Sequence, residues 1–88
     1  MDAERRVEEW AEGRGVDERV VARACRLASA YPGGGSAHPS GVAAAAVYAA
    51  YCRAAPDGRP TQKELADQFS VTHVTLRKRF RELVADFV

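Results

Sequence analysis

The sequence predicts an all-α fold, and three observations lead to this prediction. Apolar residues recur at intervals of three and four along the chain, which is the spacing of one face of an α-helix. No stretch alternates apolar and polar residues as a half-buried strand does. Glycines, prolines and capping residues divide the chain into five segments of helical length. Because 88 residues suffice for one modest core, we expect a single domain over residues 1–88, built from five helices.

The first two helices are predicted from their apolar stripes and their ends. The first covers about residues 2–12, with Val7 and Trp10 on its apolar side. Asp17 can cap the second helix, which is expected to continue to about Tyr31. A proline and three glycines follow and end this helix.

The third helix, predicted over about residues 39–53, is expected at the centre of the fold. Residues 41–52 contain no charged side chain, and a helix that is apolar nearly all round is usually buried. Its many alanines let neighbouring helices approach closely. The apolar stretch is shorter than the ~20 residues of a membrane span. We therefore expect a cytoplasmic, nucleoid-associated protein with no contact to a membrane.

Composition and motifs argue against an enzyme. Cys25 and Cys52 lie in apolar helical patterns and lack CxxC spacing, so buried thiols are expected rather than a metal or redox pair. No pair of carboxylates, Cys and His constellation or phosphate-cradling loop stands out. We expect no catalytic residue, no metal, no cofactor and no small-molecule substrate.

The last two helices have the spacing of a helix-turn-helix. Thr61 and Glu64 form a capping box at the start of the fourth helix, which is expected to end near Phe69. A tight connection leads to Thr72, which can cap the fifth helix. Five apolar residues over about 61–87 occupy the positions that pack such a motif: Leu65, Ala66, Phe69, Val71 and Leu76. Ser70 stands where a glycine is often found.

The fifth helix is predicted to have an apolar side and a DNA-facing side. At ~100° per residue its apolar side gathers Leu76, Phe80, Leu83 and Phe87, with Val84 at the margin. The opposite side carries Val74, Arg77, Lys78 and Arg81. Arg77 can bond guanine O6 and N7 in the major groove, and Val74 can contact a thymine methyl group. These two are the predicted base-reading residues.

Positive charge is concentrated in the same third of the chain. Residues 59–82 carry six basic groups against three acidic ones, leaving +3, whereas residues 1–31 carry six against seven. Local positive potential attracts phosphates. A solvated cationic face is the simpler alternative for such a helix taken alone. The predicted phosphate ligands from this charge are Arg59, Lys63, Lys78, Arg79 and Arg81.

Three segments carry a resemblance to a known family. Residues 60–67, PTQKELAD, and 71–83, VTHVTLRKRFREL, resemble the end of archaeal transcription factor B, the counterpart of general transcription factor IIB. Residues 40–50, SGVAAAAVYAA, are similar to the alanine-rich central helix of that family's second cyclin-like repeat. The resemblance implies a five-helix cyclin-like repeat whose helix-turn-helix reads the promoter element upstream of the TATA box. Its implied partners are double-stranded DNA, the TATA-binding protein and RNA polymerase.

The resemblance also implies roles for single residues. It gives base contact to Val74 and Arg77, and phosphate contact to Thr72 and Thr75, although capping explains Thr72 equally well. His73 replaces an expected acidic residue, and the loss of that negative charge favours phosphate binding. A full family member also carries a zinc ribbon, a linker region and a first repeat. These 88 residues do not contain them, so recruitment of polymerase in the usual way is not expected.

Two functions follow from these observations. The first is a DNA-binding transcription regulator or adaptor that reads promoter DNA through its last helix. The second is a protein-interaction module that docks on the TATA-binding protein, RNA polymerase or a copy of itself without sequence-specific DNA binding. In the second, Val7, Trp10 and the weakly charged third helix would supply the docking surface.

Overall fold

A computed structural model describes residues 2–31 and 38–87, and the side chains of residues 3–31 and 38–84. The described residues form five α-helices and a short 3-10 helix, Pro56–Gly58, and contain no strand. The α-helices are α1, Asp2–Ala11; α2, Glu18–Ser29; α3, Pro39–Ala54; α4, Gln62–Gln68; and α5, His73–Phe87. The predicted all-α class is confirmed. The predicted connection over residues 32–37 lies outside the described residues.

Helix starts follow the predicted caps. The Asp17 carboxylate accepts a hydrogen bond from the backbone N–H of Arg19 at 2.8 Å. Thr61 and Glu64 form the reciprocal capping box, with distances of 2.9 and 3.1 Å between each backbone nitrogen and the other side chain. The α2 helix ends at Ser29, before the predicted Tyr31. The proline that follows Tyr31 explains this early end, because the residue before a proline disfavours helical geometry.

The α3 helix is the centre of the fold, as its sequence predicts. Ten of its residues are buried, including every alanine from Ala43 to Ala50. The other four α-helices all pack against it. Its small side chains allow these helices to approach closely. No helix of the described residues is long and apolar enough to cross a membrane.

Val7 and Trp10 belong to the core. Val7 has no exposed surface and Trp10 is 9% exposed. The Trp10 indole N–H donates to Oε1 of Gln68 at 2.8 Å, and its ring stacks on Phe69 with centroids 5.6 Å apart. The expectation that Val7, Trp10 and the third helix offer a docking surface is therefore wrong, because packing between helices covers them. The same contacts tie α1 to the end of α4.

The apolar side of α5 packs as the helical wheel predicts. Leu76 and Leu83 are buried, and the half-buried Phe80 meets Tyr48 of α3 edge to face at 5.1 Å between centroids. Leu65 and Ala66 of α4 and Phe69 at its C-terminal cap are also confirmed as buried. The side chain of Phe87 lies outside the described side chains.

The two cysteines are free thiols, and both are half-buried rather than fully buried. Burial raises the pKa of the Cys25 thiol above its ordinary value. The Cys52 sulfur accepts a hydrogen bond from Nη1 of Arg59 at 3.4 Å. The prediction of buried thiols is therefore correct only in part, because both residues lie at the edge of the core.

Candidate nucleic-acid interface

The turn between α4 and α5 is built by a left-handed residue. Ser70 has φ of 59°, a conformation that glycine adopts more easily. The Ser70 N–H donates to the Asp67 carbonyl at 3.2 Å, and the Val71 N–H donates to the Ala66 carbonyl at 2.9 Å. These two bonds are those of a Schellman motif, in which the chain reverses just past the helix end. The half-buried Val71 packs against the core and fixes the turn.

The start of α5 is held by two threonines. The Thr72 hydroxyl accepts the Thr75 backbone N–H at 3.1 Å and donates to the Thr75 hydroxyl at 3.0 Å. The predicted cap is therefore present. The Thr75 side chain is half-buried, and its methyl group points at Gly41 of α3. Thr72 and Thr75, both predicted as phosphate ligands, are thus hydrogen-bonded to each other, and this contact caps the start of α5.

The outward side of α5 combines cations with an apolar side chain. Val74 is 65% exposed and is the only exposed large hydrophobic residue among the described side chains. Four predicted site residues are exposed around it: His73, Arg77, Lys78 and Arg81. Within residues 3–31 and 38–84, none of these four side chains makes a hydrogen bond or an ion pair. We call these five residues the α5 face.

A basic cleft adjoins the α5 face. It has a volume of about 420 Å³ and is lined by Tyr48, Arg59, Pro60, Thr61, Gln62, Lys63, His73 and Arg77. The fold therefore brings Arg59 and Lys63 beside His73 and Arg77. The distribution of charge along the sequence does not by itself predict that these residues meet. None of the described residues that line the cleft carries a carboxylate.

The Arg59 side chain is held in this cleft by its neighbours. Its guanidinium lies over the ring of Tyr48, 5.7 Å from the centroid, and donates to the sulfur of Cys52. These contacts orient the cation without neutralising it. The sequence gives no local signal for this arrangement, because the tyrosine and the cysteine lie on α3.

Arg79 departs from the predicted arrangement. Its side chain is only 20% exposed, and Nη1 donates to Oε1 of Glu82 at 2.7 Å and to the Tyr31 hydroxyl at 3.0 Å. Arg79 therefore lies among intramolecular partners rather than with the exposed cations. The hydrogen bonds from Tyr31 and Arg79 lower the pKa of Glu82, while burial and the bond to Glu82 raise the pKa of Tyr31.

The architecture defines the class of protein. Among the described residues, four α-helices pack around the buried, alanine-rich α3, which is the arrangement of a cyclin-like repeat. The chain belongs to the family described as the Transcription factor TFIIB repeat, whose family model matches residues 1–86. The resemblance identified from the sequence is confirmed. Membership in this family gives the chain a role in transcription.

Individual relatives support the same family. Two proteins named Transcription initiation factor IIB, from Methanothrix thermoacetophila and Methanosarcina mazei, are each 48% identical to this chain over 48 residues. The matched segment covers 54% of this chain and 14% of the length of each relative. The chain thus spans a small part of the curated relatives it matches. No solved structure matches it.

Proposed function

We propose that the chain is a DNA-binding transcription regulator or adaptor that reads promoter DNA in the major groove through α5. The observation that carries this proposal is the α5 face, where Val74 is 65% exposed among unpaired cations of the described residues. The core does not need this valine, and exposure of a large apolar side chain has no benefit in water. Beside cations, such a side chain suits contact with a thymine methyl group.

The residues of the α5 face and the cleft divide into two roles. Val74 and Arg77 contact base edges, which specifies the sequence. Lys78 and Arg81 contact phosphates from α5, as do the cleft residues Arg59, Lys63 and His73. Phosphate contacts set affinity and register without sequence information. Thr72 and Thr75 support these contacts by fixing the first turn of α5.

The small size of the α5 face and its cleft favours binding to DNA together with a partner protein. One cyclin-like repeat presents a small footprint on DNA, and such single modules gain affinity when a second bound protein adds contacts. We propose that the TATA-binding protein supplies these contacts at a promoter. RNA polymerase is a further candidate partner of the bound complex.

Fluorescence anisotropy tests the proposed function. The chain is titrated against duplexes with and without a purine-rich element upstream of a TATA box, in the presence and absence of TATA-binding protein, at two salt concentrations. Salt-dependent binding that prefers the element is the expected result. Capture of TATA-binding protein without any DNA binding at low salt would instead support the protein-interaction module.

A further inference from the structure

Arg79 lies in the sequence between two cations of the α5 face and yet is turned away from them. Arg77 and Arg81 are exposed, whereas the Arg79 side chain is 20% exposed. Its stem packs against the start of α3, because its Cγ lies 3.7 Å from the position that a Cβ on Gly41 would take. The guanidinium then reaches the hydroxyl of Tyr31, which follows the end of α2. An arginine in this sequence position has both the charge and the length to reach a phosphate.

The guanidinium of Arg79 forms a closed set of hydrogen bonds with two other side chains. The Tyr31 hydroxyl donates to Oε1 of Glu82 at 2.5 Å and accepts from Nη1 of Arg79 at 3.0 Å. The same Nη1 donates to the same Glu82 oxygen at 2.7 Å. The Tyr31 hydroxyl is therefore hydrogen-bonded to both members of the ion pair, Arg79 and Glu82. It joins the segment after α2 to α5 across 51 residues of sequence.

The ion pair alone would hold Arg79 only loosely. Arg79 and Glu82 are three residues apart on one helix, and the Glu82 side chain is 37% exposed. Pairs of this kind are weakened by solvent and salt, and water competes for both groups. Tyr31 contributes the contact from another element, so it is the residue that decides where the guanidinium rests.

We propose that Tyr31, with Glu82, withholds Arg79 from the DNA backbone and so limits the number of phosphate contacts that α5 makes. This inference rests on the proposed DNA-binding function. Each additional phosphate contact strengthens binding to all sequences alike. Withholding one cation therefore lowers the affinity for all DNA sequences by the same factor and leaves the ratio of affinities to the base contacts.

The main test is the salt dependence of DNA binding in Tyr31→Phe, a substitution that leaves the charge unchanged. Released Arg79 adds one phosphate contact, so the slope of log K against log salt becomes steeper by about 0.9. A fourfold rise in salt then weakens binding by about threefold more than in the wild type. Arg79→Gln alone leaves the wild-type slope unchanged, and the double variant Tyr31→Phe with Arg79→Gln returns to it.

A second pair of variants separates release of Arg79 from a simple change in charge. Glu82→Gln removes the anionic partner and steepens the slope by about 0.9. Asp67→Asn, on the exposed side of α4, also removes one negative charge but frees no arginine, and it leaves the slope unchanged. Lys78→Ala is the positive control, because loss of one phosphate ligand makes the slope shallower by about 0.9. Circular dichroism verifies that each variant keeps its helices.

The outcomes are distinguishable. A wild-type chain that binds no duplex at low salt overturns the proposed function and this inference with it. Normal wild-type binding with an unchanged slope in Tyr31→Phe and Glu82→Gln overturns this inference alone. A shallower slope in Arg79→Gln, equal to that of Lys78→Ala, would overturn it as well, because Arg79 would then already contact a phosphate.

Discussion

The methyl group of Thr75 lies 2.9 Å from the position that a Cβ would take on Gly41. At this point α5 crosses the start of α3, and a side chain larger than hydrogen on α3 would meet it. Thr75 is also the residue whose backbone N–H is capped by Thr72. The close approach to α3 and the cap of α5 are therefore linked through one side chain, which places the first turn of the proposed recognition helix.

Gly41→Ala is expected to destabilise the fold by about 1–3 kcal/mol, because the added methyl group forces α5 away from α3. Urea denaturation measures the change in the free energy of unfolding. Gly58→Ala is the matched control, since nothing lies within 4 Å of a Cβ at that position. It should leave stability unchanged or raise it by up to about 1 kcal/mol. Equal effects of the two substitutions would show that the crossing tolerates a side chain.

Ser70→Gly is expected to stabilise the protein by about 1 kcal/mol, because Ser70 has the left-handed φ of 59°. The melting temperature should rise. The control is Ser29→Gly, which places glycine in the last helical residue of α2 and should lower stability instead. A fall in melting temperature for Ser70→Gly would mean that the serine side chain stabilises the turn in another way.

Arg77→Ala is expected to cost about 1–3 kcal/mol of binding free energy and to relax specificity at one base pair. Lys78→Ala should weaken binding to all sequences alike and make the salt slope shallower by about 0.9. Arg77 and Lys78 are both exposed and adjacent on α5, so comparing the two variants separates base contact from phosphate contact. Anisotropy titrations with single-base variants of the preferred duplex measure the difference. Identical behaviour of the two variants would refute the assignment of base and phosphate contacts.

Leu76→Ala is expected to lower the free energy of unfolding by about 2–5 kcal/mol, because Leu76 is fully buried beneath the α5 face and its loss leaves a cavity. Val74→Ala removes a side chain that is 65% exposed and should leave unfolding unchanged. The valine substitution should instead reduce discrimination in favour of thymine. Chemical denaturation and DNA titration of both variants distinguish the contribution of the buried side of α5 to stability from that of its outward side to DNA binding.

Acid should destabilise the fold through two carboxylates. The pKa of Glu82 is lowered from 4.5 by the hydrogen bonds from Tyr31 and Arg79, and that of Asp17 from 3.8 by its bonds to Arg19. A lowered folded-state pKa contributes stability that is present above the unfolded value and is lost as the pH falls through the folded value. The melting temperature should therefore fall as the pH decreases below about 4.5. In Glu82→Gln this loss should be smaller, and an equal loss would exclude Glu82 as a contributor.

Local features of the fold are predictable from the sequence because they depend on residues close together in the chain. The capping box of Thr61 and Glu64 and the buried positions of α5 depend on spacings of three and four residues. The same spacing rules identify Val74 and Arg77 as outward-facing. A helical wheel gives the direction of a side chain relative to its own helix axis. This direction is enough to predict which side chains face solvent.

Contacts between distant segments could not be predicted in this way. The count of basic residues groups Arg79 with the other predicted phosphate ligands because it contains no information on Tyr31, which lies 48 residues earlier in the chain. The expectation that Trp10 offers a docking surface failed for the same reason, since its hydrogen bond to Gln68 spans 58 residues. Both side chains have partners that are brought near only by packing around α3.

The most direct test of the proposed recognition surface is an amide NMR titration of the whole chain with a duplex that carries the preferred element. If α5 reads DNA, the amide resonances of His73, Val74, Arg77 and Lys78 shift, together with those of Arg59 and Lys63 at the cleft. The resonances of exposed residues of α1 then keep their positions. Shifts that are confined to α1 and α2, or no shifts at all at low salt, would contradict DNA recognition by α5.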